Sequence, residues 1–177
     1  MRLLAGTVAI DDVDAFVERL AAVAADHGVT VQAFDVRYVV DRAHLERAVA
    51  LADRAIARDE NVADDRAVEI LLYAAGRRQI NRAFEMGVSE GEGPVVVLVD
   101  DPDGGADSGG EGSECEARAV AALRESLAVD ADESVFGDYD PDRVRDFFDV
   151  GAAELAAVEG GLPDLVRERV ALLDVEK

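Results

Sequence analysis

A 177-residue chain whose 50% hydrophobic residues are dispersed among charges can build one sizeable core, so it is read as a single domain over residues 1–177. No apolar run approaches the roughly 18 to 20 residues of a bilayer span, no secretion signal is visible in Met1-Arg2-Leu3-Leu4-Ala5-Gly6-Thr7, and Cys115 alone cannot form an internal disulfide; these exclude a membrane protein and point to a reducing cytoplasm. Thirty-nine acids against 18 bases give a net charge of -21 spread along the whole chain, which reads as salt adaptation rather than a cationic ligand site, because molar salt cuts the Debye length to about 3 Å and relieves self-repulsion.

Leu3 to Ile10 predicts a first strand. Asp11-Asp12 then offers an N-cap to a helix with Val13, Phe16, Val17, Leu20 and Ala24 on one stripe, ended by Gly28. Val29 to Val40 suits a second extended segment, with a break near Asp35-Val36-Arg37. Asp41 caps a helix whose apolar face is Leu45, Val49, Ala52 and Ile56, and Asp64-Asp65 begins another that runs to about Met86 before Gly87. Five consecutive apolar residues, Val95 to Val99, predict a strand covered on both faces. Residues 100–116 hold seven acids, five glycines and no base, a composition expected to form a mobile surface insertion. Helices follow near Glu116 to Leu127, from Asp140-Pro141 towards Phe147 and Phe148, over Gly151 to Val158 and from Pro163 to about Val170, with Val170 to Val175 read as a closing strand.

Catalytic signatures are missing. There is no Walker-type phosphate loop, no glycine fingerprint between a strand and a helix, and no paired-histidine zinc motif. Asp138, Asp140 and Asp142 have calcium-loop spacing, but Pro141 intrudes, Arg143 stands where glycine is required and Asp149 replaces the bidentate glutamate; helix capping explains them better. His27 and His44 have no cysteine or second histidine at ligand spacing and read as core or surface residues. No cofactor, metal or small-molecule substrate is expected.

One segment runs against the charge of the chain. Residues 66–86 hold four arginines and two glutamates, net +2, against -23 for the remainder. Projected as one helix at about 100° per residue, Val68, Leu72, Ala75 and Ala83 share an arc in which Gln79 and Arg82 are polar interruptions, while Arg78 and Arg82 share a side and Arg77 points elsewhere. Such groups either brace neighbouring backbone or reach a ligand, and the residues alone leave both open.

Here the sequence resembles the PRPK-binding-protein family, the small subunit of the KEOPS tRNA-modification complex. The resemblance is carried by Glu69-Ile70-Leu71-Leu72-Tyr73-Ala74 followed by Arg78-Gln79-Ile80, by Gln32-Ala33-Phe34-Asp35-Val36-Arg37, by His44-Leu45 with Ala48 and Ala52, and by the ending Glu168-Arg169-Val170-Ala171-Leu172-Leu173-Asp174-Val175. It implies an α/β fold with a small, largely antiparallel or mixed sheet flanked by several helices, in a salt-adapted archaeal version. It further implies a non-catalytic role in threonylcarbamoylation of the adenosine beside the anticodon: binding the kinase-like ATPase subunit of KEOPS and capturing the 3′ CCA end of tRNA. Carried over residue by residue, the RNA contacts fall on Arg77, Arg78, Gln79, Ile80, Asn81 and Arg82, whose side chains suit phosphates, base stacking and base edges. With no tryptophan in the chain and Tyr73 the only aromatic hydroxyl near, a stacking platform is thin. Phe147, Phe148, Leu155, Leu162 and Leu165 are candidate anchors for the kinase, with a plain core role left open. Two other readings stand beside this one: a stand-alone protein-binding regulatory module without RNA activity, and a small-molecule enzyme in which Asp35, Arg37 and His44 converge in a pocket.

Overall fold

The computed structural model describes residues 1–103 and 114–174. Residues 104–113, most of the acidic insertion expected over 100–116, and Val175, the last residue of the expected closing strand, lie outside the described residues. The chain divides into two compact units, Met1–Asp35 with Val88–Phe136, and Val36–Gly87 with Gly137–Lys177.

The first unit is built on a four-stranded antiparallel sheet of order β2-β3-β1-β4, from β1 (Arg2–Ile10), β2 (Thr30–Asp35), β3 (Gly91–Asp100) and β4 (Asp130–Ala131). β3 is central, pairing with β1 from Val99 opposite Arg2 to Gly91 opposite Ile10, and with β2 from Asp100 opposite Thr30 to Val95 opposite Asp35. Val95 to Val99 are all buried, as expected of a strand covered on both faces. One face carries Val95, Val97 and Val99 with Leu4, Val8 and Ile10, against which pack α1 (Val13–His27) through Phe16, Leu20 and Val23 and α5 (Glu114–Ser126) through Ala119 and Leu123. The Asp12 carboxylate caps α1 by accepting from the Ala15 N–H, and Gly28 ends it in the left-handed conformation with φ 65°. Val17, expected on the apolar stripe, is exposed, since the buried positions are spaced i, i+4 and i+7 from Phe16. β4 was not foreseen, because two residues carry no periodicity. Its approach to β1 depends on Gly6, where a Cβ would lie 2.3 Å from the Asp130 carbonyl oxygen.

The second unit is helical. The extended segment expected to Val40 ends at Asp35, and a 3₁₀ turn over Val36–Tyr38 leads to α2 (Arg42–Ala57), capped by Asp41, which accepts from the His44 N–H at 2.7 Å. Leu45, Ala48, Val49, Leu51, Ala52 and Ala55 are buried on α2, whereas Ile56 is exposed. The alanines let α3 (Arg66–Ala74) and α8 (Gly161–Leu172) pack closely on α2. Glu69 of α3 is buried and its Oε2 accepts from the N–H groups of Val62 and Ala63 at 3.0 and 2.9 Å, tying the preceding loop to the helix. α6 (Pro141–Phe147) is capped by Asp140 with Pro141 in its first turn, and α7 (Ala152–Ala157) leads to α8. The closing strand expected from Val170 does not form over the described residues. Val170–Leu172 continue α8, because the apolar spacing Leu162, Leu165, Val166, Val170 remains helical to its end.

Candidate nucleic-acid interface

The helix expected from Asp65 to Met86 is two pieces. α3 stops at Ala74, and Gly76 takes the left-handed conformation with φ 59°. The Arg77 N–H then donates to the Leu72 carbonyl at 3.0 Å and the Gly76 N–H to that of Tyr73 at 2.9 Å, the paired hydrogen bonds of a Schellman stop. Beyond it a short helix α4 (Ile80–Ala83) and a 3₁₀ turn over Phe84–Met86 set off in a new direction. The single-helix projection therefore fails. Gln79 is not on a buried arc: it is the exposed residue before α4, its side chain making no capping bond.

The break separates the six basic-segment residues into two groups. Arg77 and Arg78 are used internally. The Arg77 guanidinium donates to the Phe147 carbonyl oxygen and to Asp149 Oδ2, the latter at 2.8 Å, and stands 5.6 Å over the Phe147 ring. Asp149 is itself a left-handed residue, φ 54°, at the end of α6, where the Val150 N–H donates back to the Arg145 carbonyl at 2.8 Å. Arg78 donates to the Leu173 carbonyl at 3.2 Å, at the C-terminal end of α8 where helix carbonyls carry partial negative charge. A cavity of about 10 Å³, room for no more than one water, lies among Glu60, Val62, Glu69, Tyr73, Arg78 and Leu173.

Gln79, Ile80, Asn81 and Arg82 are exposed, and Phe84, which sequence reasoning passed over, is 53% exposed beside them. The Phe84 N–H donates to the Ile80 carbonyl, so the two apolar side chains stand one helical turn apart, while Ala83 and Met86 are buried on the opposite side. Arg82 Nη1 donates to Glu85 Oε1 at 2.7 Å, both side chains being largely exposed. The signal for Phe84 was present in the sequence as the spacing of Ile80 and Phe84 against Ala83 and Met86, once Gly76 is read as a stop.

Of the candidate docking residues, Phe147, Phe148, Leu162 and Leu165 are buried within the chain and Leu155 on α7 is partly exposed. Phe147 and Phe148 meet edge to face at 5.0 Å, Phe147 meets Tyr38 at 5.1 Å, and Phe148 meets His44 at 5.9 Å.

His44 is fully buried. Its Nε2 faces the Ala74 carbonyl at 2.7 Å and so carries the proton, donating to it, while Nδ1 has no partner. Burial pushes the imidazole down to about 4, against the opposing pull of the Ala74 carbonyl and the Asp41 carboxylate. A ring packed between Ala74 and Phe148 with no exposed surface offers nothing to a substrate, which removes His44 from any small-molecule site. Among the described residues, no group of three or more His, Cys, Asp or Glu is placed to hold a metal, and no helix is long and apolar enough to cross a membrane.

Over 154 residues the chain is 35% identical to the alanine–tRNA ligase of Parafrankia sp. (strain EAN1pec), a stretch that is 86% of this chain and 16% of that protein. The chain thus spans about a sixth of that relative's length. The family model described as kinase binding protein CGI-121 matches residues 10–174, nearly the whole chain, and the chain belongs to that kinase-binding family.

Proposed function

We propose that the protein is a non-catalytic subunit of a KEOPS-type complex that modifies tRNA to threonylcarbamoyladenosine, docking on the kinase-like ATPase subunit and holding the 3′ CCA end of tRNA. The observation that carries the reading is the family match over residues 10–174. The RNA part rests on the exposed run Gln79, Ile80, Asn81 and Arg82, which offers a cation and two amides to an unpaired strand. Arg77 and Arg78, next before that run in the chain, are tied to Phe147, Asp149 and Leu173. The docking part falls on the C-terminal helices, where Leu155 is partly exposed and Phe147, Phe148, Leu162 and Leu165 are buried within the chain. The net charge of -21 supports a salt-adapted setting, because concentrated salt relieves the self-repulsion of such a surface.

The internal use of Arg77 and Arg78 favours a second reading, a protein-binding regulatory module without RNA activity, because it takes two of the arginines out of the basic island. One experiment separates them. Binding of the purified protein to full-length tRNA and to tRNA lacking its CCA end is measured in about 2 M KCl, for wild type and Arg82→Glu, together with binding to the kinase-like subunit. Tail-dependent binding that Arg82→Glu weakens supports the RNA role. Kinase binding with equal affinity for both RNAs would leave the regulatory module.

A further inference from the structure

Around α4 and the turn that follows, the exposed side chains are ordered by the helical repeat. At about 100° per residue, Ile80 and Phe84 lie together, Asn81 follows, then Glu85 and Arg82, and the remaining arc is taken by the buried Ala83 and Met86. An aromatic ring 53% exposed, with an aliphatic side chain one turn before it and an amide beside it, is a face on which a flat, hydrogen-bonding group can lie. Large apolar side chains left in water are few among the described residues, and apart from Phe84 none of them is aromatic. The exposed polar neighbours, Gln79, Asn81, Arg82 and Glu85, are together neutral in a chain of net charge -21, and a protein partner would need a wider apolar patch than the two side chains they ring.

We infer that Phe84 is the base-stacking residue of the RNA site, seating one unpaired nucleotide against its ring and Ile80, with Asn81 placed for the base edge and Arg82 for the adjoining phosphate. This rests on the tail-capture reading above and supplies the aromatic platform that reading lacked. Glu85 takes part as a competitor. Its carboxylate holds Arg82 at 2.7 Å in an exposed pair, which a phosphate can displace at small cost. Stacking on an aromatic face persists in concentrated salt, where the counterion contribution to phosphate binding is largely lost.

The test uses the full chain with intact tRNA, tRNA lacking its CCA end, and tRNA whose terminal adenosine is replaced by 2-aminopurine. Wild type is expected to prefer the intact tRNA and to quench the 2-aminopurine. Phe84→Ala and Phe84→Leu should each lose roughly 5- to 150-fold in affinity for intact tRNA and abolish the quench, whereas Phe84→Trp should keep both. Unchanged melting temperatures show that these exposed substitutions leave the fold intact. Tail-dependent binding by wild type that Phe84→Ala leaves untouched overturns the stacking inference alone. Equal binding by Phe84→Leu makes the contact apolar rather than stacked and also overturns it. Loss of kinase binding in Phe84→Ala with RNA affinity intact reassigns the face to a protein. Wild type that does not distinguish the two RNAs sinks the tail-capture reading and this inference together.

Discussion

Arg77 decides whether the basic segment is a ligand site or a brace, and the structure fixes the size of the answer. Arg77→Ala removes a charge-assisted hydrogen bond to the Phe147 carbonyl, a contact over the Phe147 ring at 5.6 Å and an ion pair to Asp149 at 2.8 Å. The first is worth about 1.5 to 3 kcal/mol because the carbonyl is left without its partner. The ring contact adds about 0.5 to 1 kcal/mol. The ion pair adds no more than a few tenths of a kcal/mol, since the Asp149 side chain is 75% exposed and screened by solvent. A loss of about 2 to 4 kcal/mol is expected, which for a chain of this length lowers the melting temperature by roughly 5 to 15 °C. Arg77→Lys, with one charge but no planar fork, should lose about half as much. Guanidinium denaturation and tRNA affinity, both on purified protein, give the two readouts. Wild-type stability in Arg77→Ala combined with a more than tenfold loss of tRNA affinity would refute the internal assignment and return Arg77 to the ligand surface.

Three further substitutions probe the frame. Glu69→Ala strands the N–H groups of Val62 and Ala63 and should cost about 3 to 5 kcal/mol, with Glu69→Gln, which keeps an acceptor of the same shape, costing about 1 kcal/mol in the same denaturation assay. His44 titrates at about 4 in the fold against 6.5 in the unfolded chain; the unfolded state therefore binds the proton first, and stability present above about pH 6.5 is lost as pH falls towards 4. Between pH 7 and pH 4.5 the wild type should lose about 2 kcal/mol more than His44→Gln, and parallel losses would refute the buried neutral imidazole. Gly6→Ala drives a Cβ into the Asp130 carbonyl at 2.3 Å, so it should cost about 1 to 3 kcal/mol and raise amide exchange at Asp132, whose N–H donates to the Ala5 carbonyl.

What the sequence disclosed follows the range of the interactions. Asp12, Asp41, Asp65 and Asp140 were readable as caps because a capping carboxylate bonds an N–H only two or three residues on. β3 was readable because five successive apolar residues have few other places to go. The break at Gly76 was missed although its residue was in view: the apolar period of Leu72 and Ala75 carries on through Ala83, and a glycine inside such a period costs a helix only about 1 kcal/mol, so the period was followed and the stop was not. The partners of Arg77 and Arg78 stand 70 and 95 residues away, beyond any local pattern. Phe147, Phe148, Leu162 and Leu165 have the spacing of a helix face in either a core or an interface, and only their burial separates those uses.

The same long-range contacts bear on the RNA role proposed for a protein of this charge. In concentrated salt the general attraction between arginines and phosphates is weak, so a site built from Arg77, Arg78 and Arg82 as three free cations would bind little. The structure uses the first two on the Phe147 and Leu173 carbonyls, and these contacts hold the chain that follows Gly76. What that anchored stem presents is a turn carrying one aromatic ring, two amides and one arginine already paired to Glu85. In the proposed role, affinity from such a face would come from stacking and directional hydrogen bonds, which salt affects least. In the proposed RNA role Arg77 and Arg78 therefore act away from the ligand, through the carbonyls that tie down the segment leading into α4.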